Sequence, residues 1–297
     1  MFKRLIAVLL TGLVLCSCSD HGHYHKVSGK EVTLPSKEVA VATIDYRNSY
    51  SRLYNDVKEI GPDLKKGDII ALGEYEQDGD LSDGKEKILW EVLEVKGSKA
   101  LVLSYYVMDM IPYNMEKTSI SWADCSLRTW LNDTFLQNSF SESDKAKIID
   151  TLNSNEVNML HGTSGGDDTL DKVFILQVED LMRYYEFGIW DEEQYSGYSE
   201  DLLACPTEYA KQQGVYVCVA DDEYYKANLK RFGYTEACKG MELSGYLTRS
   251  TGVLRNYICF VSYFGRSGYK YSQYVNETEC GIRPAMYIDI SGGSTDA

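Results

Sequence analysis

The chain has 297 residues, of which 44% are hydrophobic and 25% are charged. This composition is typical of a globular protein with one large or two small domains, and it excludes general disorder. The 30 basic and 45 acidic residues give a net charge of −15. Such a charge repels phosphate backbones, so we expect no nucleic-acid partner.

The first 18 residues have the pattern of a lipoprotein secretion signal. Lys3 and Arg4 supply the positive charge, and the apolar run at 5–15 is too short to cross a bilayer. A small residue directly precedes Cys18, which is the expected lipidation site, and Cys16 after a bulky leucine is the alternative. We therefore expect an extracytoplasmic protein anchored to a bacterial membrane by lipid, although an ordinary cleaved signal is the other interpretation.

The remaining chain is predicted to contain a tether, one domain and a short tail. Residues 19–64 are polar and end in a short helical pattern, residues 65–291 form the predicted single α+β domain, and residues 292–297 are predicted to be disordered. No stretch after the signal is long and apolar enough to be transmembrane. The tether contains His21, His23 and His25, which are either metal ligands or part of a His-rich polar linker.

The periodicity of the domain predicts β-rich ends with helices between them. Since no strand–helix repeat is sustained, the pattern favours an α+β fold of small mixed sheets and short helices. The predicted strands are 68–72, 87–95, 99–105, 171–177 and 286–290, and the predicted helices are 121–135, one starting near Ser141, one ending at Arg183 and 205–212.

Six motifs occur in an order that resembles a known family. Together they resemble a bacterial domain of unknown function that is common in exported proteins of Gram-positive anaerobes, over roughly residues 65–291. The motifs are KGDII at 66–70, LWEVL at 89–93, CSLRTWLN at 125–132, DKVFIL at 171–176, CPTEYA at 205–210 and GIRPA at 281–285.

The resemblance implies a C-type-lectin-like C-terminal portion, similar to that of formylglycine-generating-enzyme-like proteins. In that family a Trp-Leu-Arg-Ser segment pairs with a Gly-Val-Arg-Pro-Ala segment. Here GYLTRS at 245–250 replaces the usual paired tryptophans, and Tyr246 keeps one aromatic ring. The resemblance implies an exported location and a fold but no reaction.

Tyrosines crowd the C-terminal part and form the expected ligand surface. Tyrosine combines a flat apolar face with a polar tip, which suits sugar stacking and protein recognition, although core packing is the alternative for any single ring. The expected surface consists of Tyr246, Tyr257, Tyr263, Tyr269, Tyr271 and Tyr274. We expect structural roles for Arg249, Arg283, Trp130 and Arg128.

Other chemistry is weakly supported by the sequence. Adjacent carboxylates such as Glu179 and Asp180 allow a glycan hydrolase, but 45 acidic residues produce such pairs by chance. Residues 78–84 resemble the start of a calcium loop or a plain turn. Ser164 beside His161 lacks the scaffold of a serine protease. Six cysteines after the signal permit disulfides without fixing the pairing, and Cys259 with Cys280 is one possible bridge.

The sequence therefore predicts a lipid-anchored, non-catalytic module that binds a glycan, a peptide or a cell-wall component, with no cofactor and no catalytic residue. The alternatives are an extracytoplasmic glycan hydrolase that uses paired carboxylates and a purely structural envelope protein.

Overall fold

A curled five-stranded antiparallel sheet, shaped like half a barrel, is the largest element of the computed structural model, which describes residues 56–185, 196–219, 227 and 240–292. Irregular registers in its first two strands bend it, as β-bulges do. The strand order is β1-β2-β3-β14-β4, so the last strand of the chain pairs with the third. The strands are β1 Ile69–Tyr75, β2 Glu86–Lys96, β3 Lys99–Ser104, β4 Ile148–Ile149 and β14 Ala285–Asp289.

Short helices lie between the two ends of the chain. The first, α1, follows a 3-10 turn at Trp122–Asp124 and continues through the π-turn Leu131–Phe135 into α2. Ser141 caps α3 through a reciprocal capping box with Asp144, which confirms the predicted helix start. The helices are α1 Ser126–Trp130, α2 Leu136–Ser139, α3 Glu142–Lys145, α4 Val178–Tyr184 and α5 Glu208–Gln213, with a further 3-10 turn at Glu200–Leu202.

Four smaller antiparallel sheets complete the described fold. β10 Tyr246–Thr251, β11 Tyr257–Val261 and β13 Ser272–Tyr274 form one sheet of three strands. The other sheets have two strands each. With 18% helix and 32% strand, the α+β prediction is confirmed. The two-stranded sheets pair β5 Thr151–Asn153 with β6 Thr169–Asp171, β7 Ser196–Tyr198 with β12 Arg266–Gly268, and β8 Cys218–Val219 with β9 Glu242–Leu243.

A close backbone approach joins the segment before β14 to the start of β10. The Gly281 amide donates to Gly245 O at 3.0 Å, and the Leu247 amide donates to Gly281 O at 2.9 Å. A Cβ atom on Gly281 would lie 2.6 Å from Asp109 O and would also meet Val107. The glycine therefore permits the two segments to lie side by side.

The strand predicted at 171–177 is wrong beyond Asp171. The backbone groups of this run do not form a strand ladder, and instead they form hydrogen bonds with side chains and isolated backbone groups. Asn132 Nδ2 donates to Val173 O at 2.9 Å, and Arg249 Nη1 donates to Ile175 O at 2.9 Å. The apolar residues of the run are buried nonetheless. A buried apolar run without alternation does not by itself distinguish a strand from a buried irregular segment.

Within the described residues, no helix is both long and apolar enough to cross a membrane. The predicted signal peptide with Cys16 and Cys18, the histidines of the tether, Cys238 and residues 293–297 lie outside the described part.

Candidate functional site

A cleft of about 440 Å³ lies beside α4, between the β5 segment and β10. Its rim carries three exposed apolar side chains, Leu152, Val157 and Met159, which are 70%, 49% and 63% exposed. Its inner wall includes Glu179 of α4 and Arg249 of β10. Polar groups converging behind an apolar rim are the usual form of a small-ligand site.

The inner wall is fixed by an ion pair between β10 and α4. Arg249 is 3% exposed, and its Nη1 donates to Asp180 Oδ2 at 2.9 Å. Asp180 also accepts from the Gln177 amide at 3.1 Å in the capping box of α4. Arg249 Nη2 reaches Ser154 O at 3.4 Å on the opposite wall. Arg249 therefore joins three segments of the cleft and leaves its own charge neutralised by Asp180.

Within the described residues, Glu179 is a carboxyl group on the inner wall of the cleft that has no paired cation. Its Oε2 is buried and has no hydrogen-bond partner among the described residues. Burial, followed by repulsion from Asp180 and Glu156, raises the pKa of Glu179 to about 7, although its own backbone amide and Arg249 lower it. Near neutral pH this group can therefore act as a hydrogen-bond donor or as an anion.

A buried carboxylate supports the β5 wall of the cleft. Asp171 is 1% exposed, and its Oδ2 accepts from Trp122 Nε1 at 3.0 Å, from Asn153 Nδ2 at 3.0 Å and from Thr169 Oγ1 at 2.7 Å. Its Oδ1 accepts from Arg128 Nε at 2.6 Å. Both carboxylate oxygens of Asp171 are therefore hydrogen-bonded, which orders strand β6. Leu152, on the paired strand β5, forms part of the rim of the cleft.

The motifs CSLRTWLN and DKVFIL contact each other directly. Besides the pair between Arg128 and Asp171, Asn132 Oδ1 accepts from the amides of Lys172 and Val173 at 2.9 and 3.2 Å. Through these contacts, helix α1 and the segment after it hold the run at 171–176, part of which lines the cleft. Trp130 is half-buried and packs against Phe135 with ring centroids 5.4 Å apart.

Arg283 lies in the core, away from the cleft. Its Nε donates to Ser104 O at 2.9 Å, and its guanidinium stacks over Tyr246 at 5.0 Å from the ring centroid. Glu91 is 4.0 Å away and is a weak partner. Like Arg249, it contacts carbonyl and carboxylate groups of neighbouring segments.

The expected tyrosine surface loses three of its six members. Tyr246, Tyr269 and Tyr271 are 2%, 1% and 7% exposed. Their rings pack inside the fold because β10 and the segments around β13 turn these positions inward. They therefore cannot present a face to a ligand, and this part of the expected surface is corrected.

The other three tyrosines do not form one continuous surface. Tyr257 and Tyr274 stack with centroids 4.2 Å apart, and Lys117 Nζ lies 3.0 Å from the Tyr274 centroid. The Tyr274 ring is therefore already contacted by both an aromatic ring and an ammonium group, which compete with a sugar for its faces. Tyr263 follows the other end of β11 and packs against Tyr216 at 5.3 Å.

One group of three carboxylates in the described part of the chain is close enough to hold a metal ion. Oxygens of Glu76, Asp78 and Glu86 lie within 4.8 Å of one another, so Asp78 of the calcium-like segment does meet other acids. Glu86 Oε2 already accepts from the Gln77 amide at 2.7 Å, and Glu76 Oε1 from the Gly79 amide at 2.8 Å. Two of the three carboxylates therefore already accept hydrogen bonds from backbone amides of the turn. Burial raises the pKa of both glutamates.

Within the described residues, Cys259 and Cys280 do not form a disulfide bond. Both are buried free thiols, as is Cys125, so the possible bridge is corrected. Burial raises the pKa of Cys125 to about 12 and also raises the pKa values of the other two. Thiols of this kind are unreactive at neutral pH.

Comparison with known proteins gives one match. No curated protein and no solved structure matches the chain. A family model matches residues 97–290, which include the β5 wall, α4 and β10 of the cleft. The chain therefore belongs to the family described as domain of unknown function DUF6273.

Proposed function

We propose that this chain is an extracytoplasmic lipoprotein, anchored through Cys18 or alternatively Cys16, whose domain binds a ligand in the cleft without catalysis. The observation that carries the proposal is the cleft itself. A rim of exposed Leu152, Val157 and Met159 stands in front of the Glu179 carboxyl, whose buried oxygen has no partner in the described part of the chain. Exposed apolar side chains around a polar centre are the pattern expected of a binding site.

Of the three ligand classes predicted from sequence, a peptide or a wall component with a peptide part fits the cleft best. Sugar sites rely on open aromatic faces. Of the aromatic side chains that line the cleft, Phe174 and Tyr184 are 2% and 6% exposed and Tyr287 is half-buried, whereas the most exposed apolar side chains of the rim are aliphatic. The aliphatic rim contacts apolar side chains of the peptide ligand, and the polar wall forms hydrogen bonds with the backbone or charged groups of that ligand.

The C-type-lectin-like character of the C-terminal portion remains part of this proposal. What supports it is the pairing of the two segments singled out by the resemblance. Tyr246 of GYLTRS forms a parallel bridge with Gly281 of GIRPA, and hydrogen bonds flank the bridge on both sides. An experimental structure compared with C-type-lectin-like folds would test it.

Thermal melting against a ligand panel tests the binding proposal. The panel contains wall-derived peptides, peptidoglycan fragments, neutral glycans and divalent ions with chelator controls. A ligand of the native state must raise the melting temperature by mass action. We expect a shift with a peptide-bearing component, and the absence of a shift with every member of the panel would contradict the proposal.

The lipid anchor has a separate test. Cys18→Ser should move the protein from the membrane fraction to the soluble extracytoplasmic fraction, whereas Cys16→Ser should leave it membrane-bound. Retention of the Cys18→Ser protein on the membrane, together with release of the Cys16→Ser protein, would assign the anchor to Cys16.

Glycan hydrolysis remains the second candidate, and the state of Glu179 is the observation in its favour. A carboxyl group with a pKa near 7 in a cleft is a suitable general acid. Incubation with peptidoglycan and analysis of reducing ends tests this function. Turnover that Glu179→Gln abolishes would favour hydrolysis, and binding without turnover would favour the binding module.

A further inference from the structure

With Glu179 ionised, the cleft carries one more negative than positive charge, from Glu156, Glu179 and Asp180 against Arg183 and Arg249. Arg249 is neutralised by Asp180 at 2.9 Å and by carbonyl groups. Arg183 is exposed at the outer edge and lies 6.0 Å from the Tyr184 ring centroid. The remaining carboxyl groups, Glu179 inside and Glu156 at the rim, have no paired cation among the described residues.

Glu179 is surrounded by groups that disfavour its charge. Asp180 and Glu156 repel it, and Arg249 attracts it but is already paired. On the core side it approaches the buried Cys259 thiol, whose own pKa it raises. The cleft also contains the phenol groups of Tyr184 and Tyr287 and, at its exposed edge, Arg183. Among the described residues, the cation that acts on the Glu179 charge is Arg249, which Asp180 already neutralises.

We propose that the cleft binds an ammonium group on an apolar stem, such as a lysine-type side chain of a peptide, with the ammonium against Glu179 and the stem against Leu152, Val157 and Met159. The inference rests on the proposed binding function and specifies its ligand. A long amine side chain places a methylene stem along apolar surface and its charge beyond it. The chain's net charge of −15 also attracts cations at long range.

Binding of an ammonium should be coupled to the titration of Glu179. Its pKa of about 7 in the free protein falls when a cation faces it, so the ligand binds the ionised form. Below pH 7 the site must first lose a proton. The affinity should therefore rise at least about tenfold between about pH 5.5 and pH 8.

Calorimetric titration of the full chain with two peptides tests the inference. The probes are acetyl-Leu-Lys-Leu-amide and the same peptide with its lysine amine acetylated, which has the same stem but no charge. We expect the cationic peptide to bind more tightly at about pH 8, and at least about tenfold more weakly at about pH 5.5. The acetylated peptide should bind weakly with no pH dependence.

Two variants separate the explanations. Glu179→Gln should abolish both the preference for the cationic peptide and its pH dependence, and Glu116→Gln, an exposed glutamate outside the cleft, should change neither. Equal binding of the two peptides, no binding of the cationic one, or a preference that survives in Glu179→Gln overturns the inference. If another member of the melting panel then binds, the binding function stands with a different ligand class. If nothing binds, both fail.

Discussion

Arg249 Nη1 lies 2.9 Å from Asp180 Oδ2, and this contact joins the three-stranded sheet of β10, β11 and β13 to the start of helix α4. Arg249 is 3% exposed on its side chain and Asp180 is 16% exposed. The pair is thus largely removed from water, and each partner needs the other. It also sets where Glu179, the residue directly before Asp180 in α4, lies in the cleft.

Removing the guanidinium should destabilise the fold. Arg249→Met leaves Asp180 without its cation and the carbonyl groups of Ser154 and Ile175 without their donors. We expect the free energy of unfolding to fall by at least about 2 kcal/mol, measured by denaturant titration. Arg183→Met, at the exposed edge of the same cleft, should change it by less than about 0.5 kcal/mol. Equal losses in the two variants would contradict the role of the ion pair.

Glu179 should make the protein less stable as pH rises. Its pKa is about 7 when folded, against an ordinary value near 4.5. Between these values the folded state holds a proton that the unfolded state has released, so raising the pH favours unfolding. The loss should be about 2–3 kcal/mol between about pH 5 and pH 8.

Unfolding curves of Glu179→Gln at the two pH values isolate this contribution. The variant should lose less stability than the wild type on going from pH 5 to pH 8, because its amide does not ionise. The exposed control Glu116→Gln should keep the wild-type slope. A slope in Glu179→Gln that equals that of the wild type would show that the carboxyl group titrates normally.

Asp171 should tolerate almost no change. Asp171→Asn places an amide where two acceptor oxygens receive four donors, so at least one of the donors loses its partner. We expect a loss of about 2–4 kcal/mol in the free energy of unfolding. Asp167→Asn, an exposed position in the same loop region, is the matched control and should be nearly neutral. A near-neutral effect of Asp171→Asn would contradict the role of Asp171 as the shared acceptor of these four donors.

Removing the hydroxyl group should change the free energy of unfolding differently for two buried tyrosines. Tyr246 Oη donates to Leu202 O at 3.1 Å, whereas Tyr269 Oη is buried without a partner among the described residues. Tyr246→Phe should cost about 1 kcal/mol, and Tyr269→Phe should be neutral or stabilising. Chemical denaturation of both variants checks this pair, and a larger loss for Tyr269→Phe would show that its hydroxyl group is bonded.

Local signals predicted the elements of this fold well. The first three strands, the capping box at Ser141 and the final strand follow from alternation and capping chemistry, which depend on residues close in sequence. The strand prediction is wrong for the run after Asp171 because its backbone carbonyl groups accept hydrogen bonds from distant side chains, Asn132 and Arg249. No local pattern records such partners.

The candidate site was less predictable than the fold. In the sequence, Glu179 and Asp180 form one acidic pair among 45 acidic residues, and nothing in the pattern distinguishes a carboxylate paired with Arg249 from one left unpaired. The tyrosine cluster was overestimated because composition does not reveal burial: Tyr269 is 1% exposed. Exposed Leu152 in β5 was missed, although a leucine on the open face of a short strand is a signal that becomes visible once the strand is assigned.

The ligand affinity of one rim variant and one matched control outside the cleft tests the central claim most directly. Leu152→Gln changes the rim of the cleft, and Leu254→Gln changes a leucine outside it that is also exposed, at 59% against 70%. Calorimetric titration with the ligand that gives the largest melting shift should show at least about a tenfold weaker affinity for Leu152→Gln and an unchanged affinity for Leu254→Gln. Unchanged binding by Leu152→Gln, or an equal loss in both variants, would contradict the assignment of the cleft as the ligand site.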